Sequence, residues 1–211
     1  MAQSKRTKTL IQRLESRQLD WFKSTEDLYN QVTGFYLLLL LDKTHLLALS
    51  QKSALSELER LTIVGTDRPE PEFLLPWSIP MPLRRACINQ AYGAAKSFHT
   101  TYQKWQRRKA DSLAKGKKFT ERPPVPPRQW NWKPTFYSGT HKEYTGNTIM
   151  LKLWTGSSWA WVKFKLRGRQ IPDGWKRGCP HAVIKGQRIE LHFPIELEFE
   201  RPQKALKQAQ N

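Results

Sequence analysis

Residues 82–109, PLRRACINQAYGAAKSFHTTYQKWQRRK, carry an apolar or small side chain at every third or fourth position. This spacing predicts one long α-helix with a continuous apolar seam, and Pro82 stands where a first helical turn tolerates proline. Ala91, Gly93 and Ala94 are small enough to let a second helix approach closely. The seam consists of Leu83, Cys87, Ala91, Ala94, Phe98, Tyr102 and Trp105.

The opposite side of this predicted helix carries hydrogen-bonding groups along its whole length. Its members are Arg85, Asn89, Tyr92, Lys96, Thr100, Gln103 and Arg107. Cations in this stretch are candidates for phosphate contacts, and amides are candidates for contacts with base edges. The candidate cations are Arg84, Arg85, Lys96, Lys104, Arg107, Arg108 and Lys109, and the candidate amides are Asn89, Gln90 and Gln103. The alternative is an ordinary solvated helix surface.

The charge balance of the chain favours a polyanionic partner. Lysines and arginines number 36 against 18 aspartates and glutamates, so the formal net charge is +18. Nucleic acid is the first candidate partner and an anionic membrane surface is the second. A basic surface that is simply solvated is the remaining alternative.

The sequence before residue 135 is mostly helical in pattern. Residues 19–61 repeat apolar side chains at helical spacing and predict two or three helices. Proline-rich stretches at 65–82 and 115–134 predict extended connectors, and the second separates two modules. Its RPPVPPR run is interpreted as a stiff linker, with a ligand of SH3 domains as the alternative.

The sequence predicts a cytoplasmic, nucleoid-associated protein. Its most apolar run, FYLLLLL at 35–41, is shorter than the roughly 20 residues that cross a bilayer, and the basic start lacks the apolar core of a secretory signal. Cys87 and Cys179 lie far apart and form no CxxC pair, which fits a reducing compartment and argues against a zinc ribbon.

A clustered set of catalytic residues is missing from the sequence. It contains no glycine-rich phosphate loop, no HExxH, no GxSxG and no metal-ligand spacing. The histidines are scattered and are interpreted as ordinary surface or structural residues, and the glutamates at 190–200 as the solvent face of a strand. No catalytic residue, metal or cofactor is therefore expected.

Alternating side chains predict a small, strongly curved antiparallel sheet or barrel. KTLIQRLES at 8–16 fits a first strand, although a helix fits nearly as well. TIMLKLW at 148–154 and WAWVKFKLR at 159–167, joined by TGSS, predict a β-hairpin. QRIELHFPIELEFE at 187–200 alternates strictly, and Pro194 predicts an edge strand or a break between two strands.

The WAWVKFKLR strand is the second candidate binding surface. Alternation places Ala160, Val162, Phe164 and Leu166 toward the core, and Trp159, Trp161, Lys163, Lys165 and Arg167 on the other face. Aromatic rings for stacking and cations for phosphates suit nucleic acid. The alternative is that the tryptophans cover apolar surface beneath the helical module while the cations are solvated.

Six stretches follow one another in an order typical of a known family. They are LPWSIPMPLRRACINQAYGAAKSF at 75–98, KWQRR at 104–108, PTFYSG at 134–139, IMLKLW at 149–154, SWAWVKFKL at 158–166 and IELHFPIE at 189–196. Together they resemble the N-terminal half of TnpB (OrfB) transposon-encoded RNA-guided nucleases, which are related to type V CRISPR effectors. The similarity covers residues 73–199 and is most specific at 82–93.

The resemblance implies an α+β fold in which a helical recognition domain is inserted into a small antiparallel wedge-type β-barrel. The implied boundaries are a first barrel strand at 1–17, the helical domain at 18–112, a basic proline-rich linker at 113–134, the rest of the barrel at 135–200 and a polar tail at 201–211. In that family a RuvC nuclease domain with a zinc ribbon comes next, whereas this sequence ends at Asn211.

The function implied by the resemblance is binding of guide RNA and of the guide–target DNA duplex without cleavage. One alternative is a split nuclease whose RuvC domain lies on a separate chain. Another is a basic protein-interaction module that binds no guide RNA. No membrane partner is expected.

Overall fold

The computed structural model describes residues 3–15, 18–66, 68–127 and 131–200. The chain divides into two compact units, a sheet unit of Met1–Phe22 with Thr135–Asn211 and a helical unit of Lys23–Pro134. Helices and a curled antiparallel sheet are both present, so the predicted α+β class is confirmed. The predicted polar tail at 201–211 lies outside the described residues.

The described part of the chain has three α-helices, α1 (Leu19–Asp42), α2 (Gln51–Thr62) and α3 (Met81–Ala114), and one short 3-10 helix at Thr44–Ala48. The prediction of two or three helices before residue 62 is thereby confirmed. Ser50 caps α2, since its side chain accepts a hydrogen bond from the Ser53 amide at 3.1 Å. Pro82 lies in the first turn of α3, as predicted.

Aromatic and leucine side chains of α1 form the core of the helical unit. Tyr29, Tyr36, Leu37 and Leu40 are fully buried, whereas Leu38 is 63% exposed. The Tyr36 hydroxyl lies 3.0 Å from Thr62 Oγ1, which ties α1 to α2. Among the described residues, no helix combines the length and the apolar character needed to cross a membrane.

The predicted apolar seam of α3 is confirmed, but its two halves differ. In the first half Leu83, Cys87 and Ala91 are fully buried. In the second half the seam consists of aromatic rings, of which Phe98 and Tyr102 are half-buried and Trp105 is buried. The expectation of a close helix approach at Gly93 is wrong. Gly93 is exposed, and no atom lies within 4 Å of the place where a Cβ would stand.

The sheet has seven strands within the described residues, all paired antiparallel in the order β2-β3-β4-β1-β7-β5, with β6 also paired to β7. The strands are β1 (Gln3–Glu15), β2 (His141–Lys142), β3 (Thr148–Trp154), β4 (Trp159–Arg167), β5 (Lys176–Arg177), β6 (His181–Lys185) and β7 (Arg188–Glu200). The predicted hairpin is confirmed as β3 and β4. The strand that alternation predicts at 8–16 is confirmed as β1, which begins five residues earlier, at Gln3, and ends at Glu15.

The core of the sheet unit lies on the concave side of the curled sheet. Phe136, Phe164 and Phe193 are among its largest fully buried side chains, and Phe22 at the start of α1 packs against Phe164 with ring centroids 5.4 Å apart. Gln12 is buried among them, and its amide donates hydrogen bonds to the carbonyls of Gly146 and Arg169. A buried amide is tolerated there because its donors are paired.

The prediction that Pro194 marks an edge or a break is wrong. β7 runs unbroken through Pro194 and pairs with β1, where Thr9 lies opposite the proline. On the other side of β7, pairing with β6 ends at His192 and pairing with β5 begins at Ile195. In an antiparallel strand the N–H and C=O of one residue point the same way. Since the Pro194 carbonyl accepts from Gly178 N at 2.7 Å, its missing N–H also faces this change of neighbour, and β1 loses no hydrogen bond.

Candidate nucleic-acid interface

The outward face of β4 presents the side chains that alternation predicts. Lys163, Lys165 and Arg167 are exposed and Trp161 is 37% exposed, while Phe164 and Leu166 point into the core. Trp159 is half-buried on the same outward face. The four exposed side chains therefore combine an accessible indole with positive charges on one surface, which we call the Trp161 face.

Neighbouring strands extend the Trp161 face with residues that the sequence analysis missed. Lys152 of β3 lies opposite Trp161 in the register, and the Lys152 and Lys142 ammonium groups lie 5.9 Å and 4.5 Å from the Trp161 ring centroid. Trp154 lies opposite Trp159, with ring centroids 5.4 Å apart. The signal for Lys152 was available, because a hairpin closed by TGSS places residues 152 and 161 in the same register.

Arg167 differs from the two lysines of β4 because it has a carboxylate partner. It forms an ion pair with Glu15 on the adjacent strand β1, and Arg13 lies opposite it in the register. Both partners are largely exposed, so the pair is weak and can exchange with a phosphate. Lys163 and Lys165 are the stronger candidates.

Arg84 and Arg85, in the first turns of α3, form ion pairs within the helical unit. Arg84 Nη2 lies 2.8 Å from Glu59 Oε1, and Arg85 Nη2 lies 2.9 Å from Glu59 Oε2. Burial alone would raise the pKa of Glu59, but hydrogen bonds from Arg85 and Arg84 outweigh it and hold this pKa below its ordinary value. Both cations thus anchor α3 to α2, and the Arg84 side chain is only 14% exposed.

The predicted hydrogen-bonding face does not extend along the whole of α3. Tyr92 is 5% exposed, and its hydroxyl donates to the Leu49 carbonyl at 2.7 Å. Asn89 is half-buried. Packing of α3 against α2 and the 3-10 helix covers this part of the face, so the prediction is wrong for its first half. Helical spacing alone could not reveal that a second neighbour covers the polar side.

The second half of α3, from Lys96 to Ala114, is exposed on its polar side. Lys96, Gln103, Lys104 and Arg107 are all exposed, as predicted for a contact surface. Arg108 is also exposed but forms an ion pair with Glu121. The Lys96 ammonium donates to the Tyr92 hydroxyl at 3.0 Å, which fixes where its charge lies.

A groove of about 560 Å³ runs along this exposed half. Its walls carry two ammonium groups and four hydroxyls, and Gly93 leaves space that a side chain would fill. Hydroxyls and ammonium groups both donate to phosphate oxygens. The lining residues are Gln51, Tyr92, Gly93, Lys96, Ser97, Thr100, Thr101 and Lys104.

Two histidines of the sheet unit lie in surroundings that favour the neutral imidazole. Burial lowers the pKa of His141 and of His181 below its ordinary value, and the nearby Arg177 and His192, respectively, add to the effect. Within the ranges that the structure describes, no group of three or more His, Cys, Asp or Glu side chains is placed to hold a metal ion.

Comparison with known proteins finds one family whose model covers most of the chain. The model of the Aq_aa04 family matches residues 5–155. A relative from Aquifex aeolicus (strain VF5), named "Uncharacterized protein aq_aa04", is 28% identical over 128 residues, which span 58% of this chain and 70% of the relative. Neither name states an activity.

Proposed function

This chain belongs to the Aq_aa04 family, and we propose that it binds RNA through the Trp161 face and the exposed half of α3. The observation that carries the proposal is the group of lysines around the exposed Trp161 ring. The ammonium groups of Lys142 and Lys152 lie over this ring. Lys163 and Lys165 continue the positive charge along β4. A base can stack on an accessible indole while ammonium groups bind the phosphates on either side of it.

The helical unit also supports the proposal, because the segment that includes the exposed half of α3 is strongly positive. Residues 96–122 contain nine lysines and arginines and only two acidic residues, Asp111 and Glu121. Arg108 forms an ion pair with Glu121, and nine cations against two acidic residues leave this segment with a net charge of +7. A groove lined by Lys96, Lys104 and four hydroxyls provides positions for consecutive phosphates.

The finer proposal is that the RNA is a guide RNA. The resemblance to the TnpB family is its main support, with the helical unit as a recognition domain inserted into a wedge barrel. The order of elements along the chain also supports it, since one strand precedes the helices and six follow them within the described residues. In this role the chain would bind the guide–target duplex by its A-form backbone rather than by its sequence.

The experiment that tests the proposal captures RNA from cells. The chain is expressed with its native flanking DNA and purified in moderate salt, and the RNA that remains bound is sequenced. One discrete RNA from the flanking element is the expected result and supports the guide-RNA proposal. Mixed RNA that high salt removes would leave only general RNA binding, and the absence of RNA would overturn both proposals.

Cleavage is tested separately on the captured complex. With matching target DNA and Mg²⁺ we expect a shifted but intact DNA band, because we propose binding without cleavage. Cuts made by the purified chain would contradict this. Cuts that appear only when a second, RuvC-containing chain is added would support the split-nuclease alternative.

A protein-interaction module is distinguished by salt dependence. Phosphate contacts release counterions, so RNA affinity falls steeply as salt rises. Binding to a protein partner at the Trp161 face would depend much less on salt, and finding only such a partner would replace RNA in the proposal.

A further inference from the structure

A second cleft opens on the other flank of the exposed half of α3. It has a volume of about 390 Å³, and the end of α1 and the 3-10 helix form its far wall. This volume lies near the lower end of the range for small-molecule sites, about 300–1,000 Å³, and therefore suits one flat ring system better than a peptide helix. The lining residues are Leu41, Thr44, Leu47, Phe98, His99, Tyr102, Gln103 and Gln106.

The inner part of the cleft is apolar and aromatic. Phe98 and Tyr102 are stacked with ring centroids 5.9 Å apart, and Tyr102 and Trp105 continue the stack at 5.7 Å. Trp105 is fixed by a hydrogen bond from its indole N–H to the Glu121 carbonyl at 3.0 Å. The rings are therefore held in place before any ligand arrives, which lowers the entropic cost of packing another ring against them.

The rim of the cleft carries polar side chains, which a purely apolar ligand would leave unpaired. His99, Gln103 and Gln106 offer both donors and acceptors, which is what the edge of a nucleobase requires. Arg107 and Lys109 stand four and three residues from Gln103 and Gln106 along α3 and so lie on neighbouring turns. The charge around the cleft thus complements a ligand that is a flat ring attached to phosphates.

We propose that this cleft binds one unpaired base of the bound RNA, with the rings of Phe98 and Tyr102 as its packing surface. This inference rests on the proposed RNA-binding function and deepens it. Polar side chains at the rim pair with the base edge, and the flanking phosphates lie over the cations of the neighbouring turns.

The test uses three RNA hairpins that differ at one position. One carries a single-nucleotide 2-aminopurine bulge, one carries an abasic bulge, and one is fully paired. We expect the base-bearing bulge to bind about tenfold more tightly than the other two, because a stacked base contributes about 1–3 kcal/mol. Quenching of the 2-aminopurine fluorescence on binding is expected from the same contact.

Variants locate the effect. Tyr102→Leu together with Phe98→Leu keeps the cleft apolar but removes both rings, and should abolish the preference for the bulge. Tyr102→Phe keeps the ring and should retain it. Lys163→Gln, which lies on the other unit, should weaken all three hairpins by the same factor.

The outcomes separate the two proposals. Equal, salt-dependent affinity for all three hairpins would overturn the base-binding cleft and leave RNA binding intact. Failure to bind any of the hairpins would overturn both. Comparing the three hairpins on the unmodified protein tests the base-binding cleft even where a variant fails to fold.

Discussion

Arg84 on α3 and Glu59 on α2 form an ion pair at 2.8 Å in which the two side chains are only 14% and 16% exposed. We predict that Glu59→Gln lowers the free energy of unfolding by about 2 kcal/mol, because it leaves the Arg84 charge half-buried without its carboxylate. Chemical denaturation measures this. Glu57→Gln on the same helix is the matched control, since its pair with Arg60 is more exposed and should contribute less than about 1 kcal/mol.

The same carboxylate predicts a pH dependence of stability. Hydrogen bonds from Arg85 and Arg84 hold the pKa of Glu59 in the folded chain below its ordinary value of 4.5. A group with a lowered folded pKa stabilises the fold above its unfolded pKa and loses this contribution as the pH falls toward the folded pKa. The difference in Tm between the unmodified chain and Glu59→Gln should therefore be constant above about pH 5 and shrink below pH 4.5. A difference that does not change down to pH 3 would contradict the ion pair.

Replacing Gly178 should also destabilise the protein, this time in the sheet unit. A Cβ at this position would lie 2.8 Å from Pro194 Cγ and 3.1 Å from its carbonyl oxygen. Gly178→Ala should therefore lower the free energy of unfolding by about 1–3 kcal/mol. Adding Pro194→Ala should recover part of this loss because the Cγ is gone. Independent, additive effects of the two changes would argue against the contact.

Replacing Gly93 should change the free energy of unfolding in the opposite direction. It lies within α3, is exposed and has no atom within 4 Å of a built Cβ. Gly93→Ala should raise the free energy of unfolding by about 0.5–1 kcal/mol because it reduces the freedom of the unfolded chain. Thermal unfolding checks the sign, and a loss of stability would show that the position is more crowded than the structure has it.

Lys163 predicts the salt dependence of RNA binding. Replacing it with Gln should reduce the slope of log K against log salt by about 0.7–0.9, which corresponds to one lost phosphate contact. Lys8→Gln is the matched control. It removes the same charge from the other side of the sheet, where Lys8 lies over the Trp175 ring, and it should leave the slope unchanged. Equal slopes for the two variants would remove β4 from the interface.

Trp161 predicts the stacking contribution. Trp161→Ala should weaken binding of single-stranded RNA by about tenfold, whereas Trp161→Phe should retain most of the affinity because a ring remains. Filter binding at fixed salt measures both. The fold should tolerate either change, since the side chain is 37% exposed and lies outside the core. Unchanged affinity in Trp161→Ala would leave the exposed indole without a role in RNA binding.

Local periodicity was enough to predict much of the fold. The hairpin of β3 and β4 and the seam of α3 depend on neighbouring residues in sequence and were found where the pattern placed them. The predicted alternation of β7 is wrong at two positions, since Glu190 is only 8% exposed and Phe199 is 40% exposed. Alternation along β4 correctly placed Trp161, Lys163 and Lys165 on the outward face. Periods of two and 3.6 residues reveal which side of an element is apolar.

Features that depend on distant residues could not be predicted in the same way. Arg84 and Arg85 meet Glu59, 25 and 26 residues earlier in the chain, so their burial follows from how α2 packs on α3. Lys142 reaches Trp161 only because β2 pairs with β3. Pro194 fits inside β7 because two different strands share its far side, which alternation along β7 alone does not reveal.

The pairing of β1 with β7 sets an order for synthesis and folding. Gln3 lies opposite Glu200, so the full ladder between β1 and β7 can form only after residue 200 has left the ribosome, whereas the short pairing of β1 with β4 needs residues up to 167. The helical unit lies entirely between these two strands in sequence and can fold while they are still apart. Closing so long a loop slows formation of the β1–β7 ladder, and until the ladder forms most of β1 has an unpaired edge that is open to association with other chains.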